Sequence, residues 1–402
     1  MTTEAAVLRR HGVFHPLRVN SVERLTDDAV AITFDVPAEL QDDYAFEAGQ
    51  HLTVRMDIAG EEVRRNYSIC APASSGRLRV AVKRLDGGVF SAFATSGLQP
   101  GDTVDVMTPT GRFHVPLDPA NAKHYCAFAA GSGITPVISI VASALEVEPA
   151  STFTLVYGNR STSSIMFLDE LADLKDRYPT RFRLINVLSR EPQEVDLFSG
   201  RLDEGKVRRL LTTLIPVESV DEWFLCGPFA MVEGAREALL EAGVGTSHIH
   251  AELFHVEGEA PRESVSPEQV RDTLLAEGVG RAHVHMELFH VEGEAPRETV
   301  AAGVAARDQG TSSVTVVLDG RSSTFDVRRG GQRILDAALA VRPDAPYACK
   351  GGVCGTCRAK LLDGEVTMDR NYALEQDEID AGFVLACQSQ PVSDTVSLDF
   401  DA

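Results

Sequence analysis

Four cysteines constrain this chain more than any other feature. Cys349, Cys354 and Cys357 form a C-x4-C-x2-C run, and Cys387 follows further on. That is the plant-type ligand spacing of a [2Fe–2S] cluster, in which four thiolates enclose two irons. Such a loop must turn tightly and aim backbone amides at sulfur; Gly351, Gly352 and Gly355 supply the backbone freedom. Lys350 and Arg358 set positive charge beside the thiolates. A four-cysteine zinc site is the alternative, although it usually pairs two short C-x-x-C elbows and this chain has one. The other cysteines, Cys70, Cys126 and Cys226, are scattered. An odd total, with no apolar signal core in MTTEAAVLRRHG, reads as a cytoplasmic metal-binding protein and not as a disulfide framework.

The chain has 402 residues, room for two or three domains at about 150 residues each. A net charge of −21 argues against nucleic acid and anionic membranes as partners. No apolar run is long enough to span a bilayer, since Gly131, Gly133 and Pro136 interrupt the nearest one. Residues 14–117 alternate polar and apolar positions in stretches such as AVAITFDV and LRVAVKRL, which predicts an antiparallel β-barrel. Residues 118–254 change style. Apolar runs (HYCAFAA, TFTLVYG, EWFLCG) alternate with helical patterns such as MFLDELADLKDRY, predicting an α/β domain with a parallel sheet. Residues 311–402 predict a small α+β module with one helix, GQRILDAALA, and the cysteine loop.

Between them, across 255–310, lies an acidic linker that contains most of a tandem repeat. REALLEAGVGTSHIHAELFHVEGEAPRESV (236–265) returns as RDTLLAEGVGRAHVHMELFHVEGEAPRETV (271–300). Each copy reads as helix, turn and strand. The first follows directly on EWFLCGPFAM and is expected to complete the sheet. The second is expected in the linker or on a sheet edge, and an exchange of copies stays open. His248, His250, His283 and His285 form two H-x-H pairs, each expected on one strand face. They are read as solvated or packed histidines, because no carboxylate or cysteine pattern completes a metal site.

Three further motifs point to nucleotide chemistry. Arg65-Asn66-Tyr67-Ser68 precedes Lys83 and Gly87-Gly88-Val89-Phe90-Ser91. Arginine can pair with a pyrophosphate, tyrosine can lie on an aromatic ring system, and a glycine-led helix start offers amides to phosphate. Gly131-Ser132-Gly133-Ile134-Thr135-Pro136 ends an apolar strand, and Cys226-Gly227-Pro228 ends a later one, where ligands of open α/β sheets sit. The second strand ends in Gly158-Asn159-Arg160-Ser161, without the carboxylate an NAD ribose usually meets, and the third ends in Ser189-Arg190-Glu191, a cation and hydroxyl suited to a 2′-phosphate. This favours NADPH over NADH, with Arg190 as an ordinary surface charge the alternative.

RNYS, GSGITP, CGPFAM and Glu252-Leu253-Phe254 together resemble the ferredoxin–NADP reductase superfamily. With the cysteine module, the chain resembles the fused reductases of multicomponent oxygenases over about 14–254 and 311–402. PYACKGGVCGTCRAKLLDGEVTMDRNYAL, GFVLACQSQP and GNRSTSSIMF are most similar to the reductases of bacterial phenylacetyl-CoA epoxidases. The resemblance implies FAD held by Arg65, Tyr67, Ser68 and Lys83, its phosphates by Gly88, Phe90 and Ser91. It implies Thr135 and Cys226 beside the nicotinamide, and Gly131, Gly133, Arg160, Ser189, Arg190 and Gly227 around the nucleotide. Ser68, Cys226 and Glu252 are the implied catalytic residues and Phe254 the implied aromatic cover of the flavin, a pair that copy two repeats as Glu287 and Phe289. The implied acceptor is an oxygenase, either the phenylacetyl-CoA epoxidase diiron component or a steroid or aromatic-ring hydroxylase. A non-catalytic electron carrier is the alternative of another class.

Overall fold

A computed structural model describes residues 13–58, 60–254, 286–289, 310–352, 354–371, 373–374 and 376–402. Six antiparallel strands make the first unit: β1 (Phe14–Thr26), β2 (Ala29–Asp35), β3 (His51–Ile58), β4 (Glu61–Ser68), β5 (Leu78–Lys83) and β6 (Thr103–Met107), in the order β4-β3-β6-β1-β2-β5. Alternation sorts their two faces. Val30, Ile32 and Phe34 of β2 and Leu78, Val80 and Val82 of β5 fill the barrel interior. Ala29, Ala31 and Ala81, the intervening positions, are also buried, but in the core of the next unit. Small residues on an outward face thus mark where the second unit presses on the barrel.

That unit is the parallel sheet the apolar runs predict. It comprises β7 (His124–Ala130), β8 (Thr152–Asn159), β9 (Phe182–Leu188), β10 (Glu222–Gly227), β11 (Ile249–Phe254) and β12 (Met286–Phe289), ordered β12-β11-β10-β7-β8-β9. Helix α2 (Ile134–Val147) covers the barrel-facing side with α3 (Leu168–Arg177), while α4 (Glu204–Thr213) and α5 (Phe229–Glu241) cover the other. The chain turns back between β7 and β10, so their C-terminal ends form the crevice where ligands of such sheets bind.

Copy one supplies β11, as expected. Copy two supplies β12, which pairs in parallel with β11 in strict repeat register: Ala251 with Met286, Glu252 with Glu287, Phe254 with Phe289. His248 lies in the turn before β11 and only His250 within the strand, so the first pair does not share a strand face. His250 stacks on Phe224 and its Nε2 lies 3.0 Å from Glu222. His283 and His285 lie outside the described residues.

The third unit is a β-grasp module of β13 (Thr311–Leu318), β14 (Arg321–Arg328), β15 (Arg358–Asp363), β17 (Phe383–Leu385) and β19 (Thr395–Asp399), with β16 (Val366–Met368) paired to β18 (Ser389–Pro391). The helix Ile334–Val341 packs Ile334, Ala337 and Ala338 on or beside its core.

Arg79 fastens the barrel to the parallel-sheet unit. Its guanidinium, 5% exposed, makes paired bonds to Glu170 of α3 at 2.9 and 3.0 Å and a third to Glu23 of β1 at 2.9 Å. Arg79→Met keeps the volume and removes the fork. Both carboxylates are half exposed and can rehydrate, so the expected loss is about 1–3 kcal/mol. Denaturant unfolding followed through Trp223, the chain's single and fully buried tryptophan, measures it.

Candidate functional site

Three distant segments meet where barrel and parallel sheet touch. Ser68 closes β4, Cys226 lies near the end of β10, and Glu252 sits opposite Cys226 on β11. Their exposures are 1%, 0% and 0%. The Ser68 hydroxyl donates to Glu252 Oε2 at 3.3 Å, and the Cys226 thiol approaches the same oxygen at 3.7 Å. One buried carboxylate oxygen therefore ties the barrel to the sheet.

Around it lie the other expected residues. Tyr67 stacks obliquely on Phe90, ring centroids 5.4 Å apart. Arg65 donates to the Arg64 carbonyl at 2.7 Å. Lys83 pairs with Asp28 at 3.5 Å, a charge partner that belongs to no motif. Gly88 caps α1 (Val89–Ser96). Phe90 is in the barrel core, and the Ser91 hydroxyl accepts from the Leu85 amide and donates to the Gly88 carbonyl. The two side chains build the turn, and the amides of the first helical turn are what it can offer an anion.

Across the crevice, Gly131–Gly133 form a tight turn leading into α2. A Cβ at Gly133 would lie 2.2 Å from the Cys226 carbonyl oxygen, and one at Gly227 would lie 2.6 Å from Met231 Cε. Gly133 needs glycine because its turn approaches the backbone of the β10 end closely, whereas at Gly227 the Met231 side chain can move aside and the constraint is its φ of +157. Thr135 is buried and donates to the Ser132 carbonyl at 3.0 Å. At the far end, the Arg190 amide donates to the Arg160 carbonyl and the Ser189 amide to the Asn159 carbonyl. Ser189 and Arg190 line a cleft of about 290 Å³ with Glu191, Ser199 and Gly200. Glu191, next to Arg190 at the third strand end, accepts from the Thr162 amide and hydroxyl at 2.8 Å each, and these bonds hold its carboxyl below the ordinary range. It is spent on fixing the Arg160 turn. Phe254 is placed by its backbone in β11; its side chain and those of Glu287 and Phe289 lie outside the described residues.

In the third unit the four thiols lie in two pairs, Cys349 with Cys354 and Cys357 with Cys387. Hydrogen bonding to Cys349, then burial, pushes the Cys354 thiol well up. Cys387 does the same to Cys357 and is itself held low by accepting that bond. Among the described residues, no three His, Cys, Asp or Glu side chains converge on a single-ion position. The Gly351 amide points at Cys349 Sγ (3.3 Å) and Gln388 Nε2 at Cys387 Sγ (3.6 Å). Lys350, Gly352 and Gly355 all have positive φ, as a loop aiming its amides inward requires. These donors fit a cluster whose sulfurs carry negative charge. Gln388 carried no sequence signal beyond standing next to a cysteine.

Arg64, beside Arg65 on β4, lies over the Tyr347 ring at 3.7 Å, and Tyr347 donates to Glu62 at 3.3 Å. Arg112 pairs with Glu378 at 2.6 Å, and Arg358 meets the same carboxylate at 2.7 Å. The cysteine module therefore rests on the barrel.

Comparison with known proteins agrees with this geometry. Residues 16–115 match the oxidoreductase FAD-binding domain, 128–237 the oxidoreductase NAD-binding domain and 316–392 the 2Fe-2S iron-sulfur cluster binding domain. The molecule is thus an NAD(P)H-dependent oxidoreductase with FAD and a [2Fe–2S] cluster. It is 42% identical over 389 residues to a component of the 1,2-phenylacetyl-CoA epoxidase of Escherichia coli (strain K12), covering 97% of this chain and 98% of that one. It is 32% identical over 388 residues to the ferredoxin reductase component of the 3-ketosteroid-9-alpha-monooxygenase of Rhodococcus rhodochrous, covering 96% of each. An intact type IV self-sufficient cytochrome P450 monooxygenase shares the fold, with TM-score 0.59 and 23% identity over 96% of this chain and 41% of that one. The chain belongs to the family of oxygenase reductase components that join FAD-, NAD- and 2Fe-2S-binding domains in one polypeptide. No helix among the described residues is long and apolar enough to cross a membrane.

The cysteine loop yields a direct test. At Gly352 (φ +81) a Cβ would lie 2.9 Å from both the Arg370 carbonyl oxygen and Gln388 Cγ. At Gly330 (φ +73) it would meet nothing. Both alanine variants carry the left-handed strain of about 1–2 kcal/mol. Only Gly352→Ala is expected to lose iron and acid-labile sulfide per chain; equal retention in the two variants would contradict this packing.

Proposed function

We propose that this chain draws electrons from NADPH and delivers them singly to a diiron oxygenase acting on phenylacetyl-CoA. The observation that carries the reading is the shared Glu252 oxygen. It gathers a barrel hydroxyl, a strand-end thiol and a carboxylate at the junction of an FAD-binding and an NAD-binding domain. The 42% identity to the epoxidase component, over nearly the whole of both chains, supports the choice of acceptor. Steroid monooxygenase reductases at 32% identity keep a steroid-hydroxylating partner as the second reading.

When bound, FAD converts a two-electron donor into one-electron steps, and the [2Fe–2S] cluster carries one electron at a time. The chain's own residues bind and orient. Tyr67 offers its ring face, Arg65 and the first-turn amides of α1 take the pyrophosphate, and Lys83 adds charge nearby. Ser68 presents its hydroxyl at the reacting edge, held there by Glu252. Thr135 and Cys226 wall the nicotinamide, while Gly131, Gly133 and Gly227 let the backbone come close to it. Phe254, following Glu252 on β11, supplies the aromatic cover. Cys349, Cys354, Cys357 and Cys387 are the metal ligands.

Arg160, Ser189 and Arg190 would hold the 2′-phosphate. Glu191 does not compete for ribose because Thr162 occupies its carboxylate. Arg190→Ala is expected to raise KM for NADPH roughly tenfold or more, as loss of a charged pair to phosphate does, and to spare NADH. Equal effects on both nucleotides would remove the NADPH assignment.

The acceptor is tested by NADPH consumption with the purified phenylacetyl-CoA oxygenase complex. Stimulation by phenylacetyl-CoA, with product matching NADPH used, is expected. No stimulation, with dye reduction intact, would keep the reductase and direct the search to a steroid hydroxylase.

A further inference from the structure

Tyr157 belongs to no nucleotide motif; in the sequence it is one residue of an apolar run. It stands near the end of β8, between Ala129 of β7 and Asn186 of β9, with no exposure to water. Its ring lies in the core on the barrel-facing side of the sheet. From there the hydroxyl donates to the Gly131 carbonyl at 2.9 Å. Gly131 has φ +55, and a Cβ there would meet nothing within 4 Å. Crowding therefore does not set this turn, and a glycine by itself lets the peptide rotate. The bond from Tyr157 holds the carbonyl inward, as the Thr135 hydroxyl holds the next one, that of Ser132, at 3.0 Å.

A trans peptide points its N–H opposite to its C=O, and among the described residues every peptide is trans. With the Gly131 carbonyl turned to a buried ring, the Ser132 amide faces the other way. Gly131 and Ser132 are partly exposed, at the β7 end of the crevice. From this we infer that Tyr157 is a positioning residue for the nicotinamide nucleotide: its hydroxyl fixes the Gly131–Ser132 peptide so that the Ser132 amide donates into the crevice. This inference rests on the electron-transfer reading above and adds a residue to its nucleotide site. Rotation of the peptide would put a carbonyl where the amide stands, and a carbonyl oxygen repels an anionic ligand. Burial holds the phenol above its ordinary range, so it stays protonated and keeps donating. The turn serves the half of the nucleotide that NADPH and NADH share, whereas Arg190 serves only the 2′-phosphate.

The test uses the full-length holoprotein and Tyr157→Phe, which fills the same space and deletes only the hydroxyl. Ferricyanide reduction reads KM and kcat, and perturbation of the flavin's visible spectrum by NADP+ reads Kd without turnover. KM for NADPH and for NADH is expected to rise by the same factor, roughly threefold to tenfold, as loss of a bond to a buried acceptor does. Kd for NADP+ should rise in step, while kcat changes by less than about twofold. The ratio of variant to wild-type KM should stay constant from roughly pH 6 to 9, below the range in which a phenol ionises. Adenosine 2′,5′-bisphosphate, which lacks the nicotinamide half, should inhibit both proteins equally. Tyr125→Phe is the control for general loosening. Tyr125 is as deeply buried in the same core, and its hydroxyl donates to Glu148 at 2.8 Å from the start of β7, at the opposite end of that strand from the turn. That variant should lose stability and leave both KM values in place. FAD per chain is measured for each variant.

Unchanged KM and Kd in a Tyr157→Phe protein that retains FAD would overturn the positioning role. So would an equal rise in Tyr125→Phe, or a matching loss of inhibition by the adenosine bisphosphate, since either would mean that the whole domain had loosened. Wild-type protein that fails to reduce ferricyanide with either nucleotide would instead sink the electron-transfer reading itself.

Discussion

Everything at the centre of this molecule depends on a carboxylate with no exposure to water. Glu252 is drawn into the junction between a barrel and a parallel sheet, where an ionised acid without partners would be strongly disfavoured. Ser68 comes from one unit and Cys226 from the other, and both turn to the same oxygen. The relative placement of the two units is thereby tied to the polarity of the site. Sliding the barrel along the sheet would remove the hydroxyl and leave the acid in an apolar crevice. The Arg79 fork at the other end of the interface, and the alanines between them, hold the same arrangement by charge and by close approach.

Much of this was legible in the residues. The cysteine spacing foretold a loop with inward amides, and positive φ at Lys350, Gly352 and Gly355 is its backbone signature. GSGITP foretold a glycine turn between a strand end and a helix, and at Gly133 that turn approaches the Cys226 backbone too closely for a Cβ. Local motifs reveal turns because a turn is a local demand on φ. They do not reveal what a side chain meets from a distant segment. Phe90 and Ser91 stand side by side in one motif, and the fold turns one into the core and engages the other with its own loop. Glu191 stands beside Arg190 with no local sign of its partner, and a threonine from another loop occupies it. Arg112 and Glu378, 266 residues apart, belong to no motif at all.

The duplicated segment shows a different limit. Repetition guarantees a second strand with the same alternation as the first, and β11 would otherwise be an edge strand with unpaired backbone groups. Pairing the copies in register satisfies that edge. It also sets position 287 directly beside Glu252 in the backbone register. The pairing follows from the identity of the copies, so the second strand is a consequence of duplication that the sheet accommodates.

The contacts that dock the ferredoxin module differ in kind from those inside the reductase half. Barrel and nucleotide-binding unit share an apolar core; the module rests mainly on an ion pair, a cation–ring contact and a tyrosine hydroxyl, with Cys349 packed against the apolar cluster of the nucleotide-binding unit. Polar domain interfaces of this sort are weak and reversible. Covalent linkage makes weakness sufficient, because a tethered module returns at a high effective concentration without needing high affinity. The mixed character of this interface, with Arg112 half exposed over a buried Glu378, sets it apart from the continuous apolar core that joins barrel and sheet.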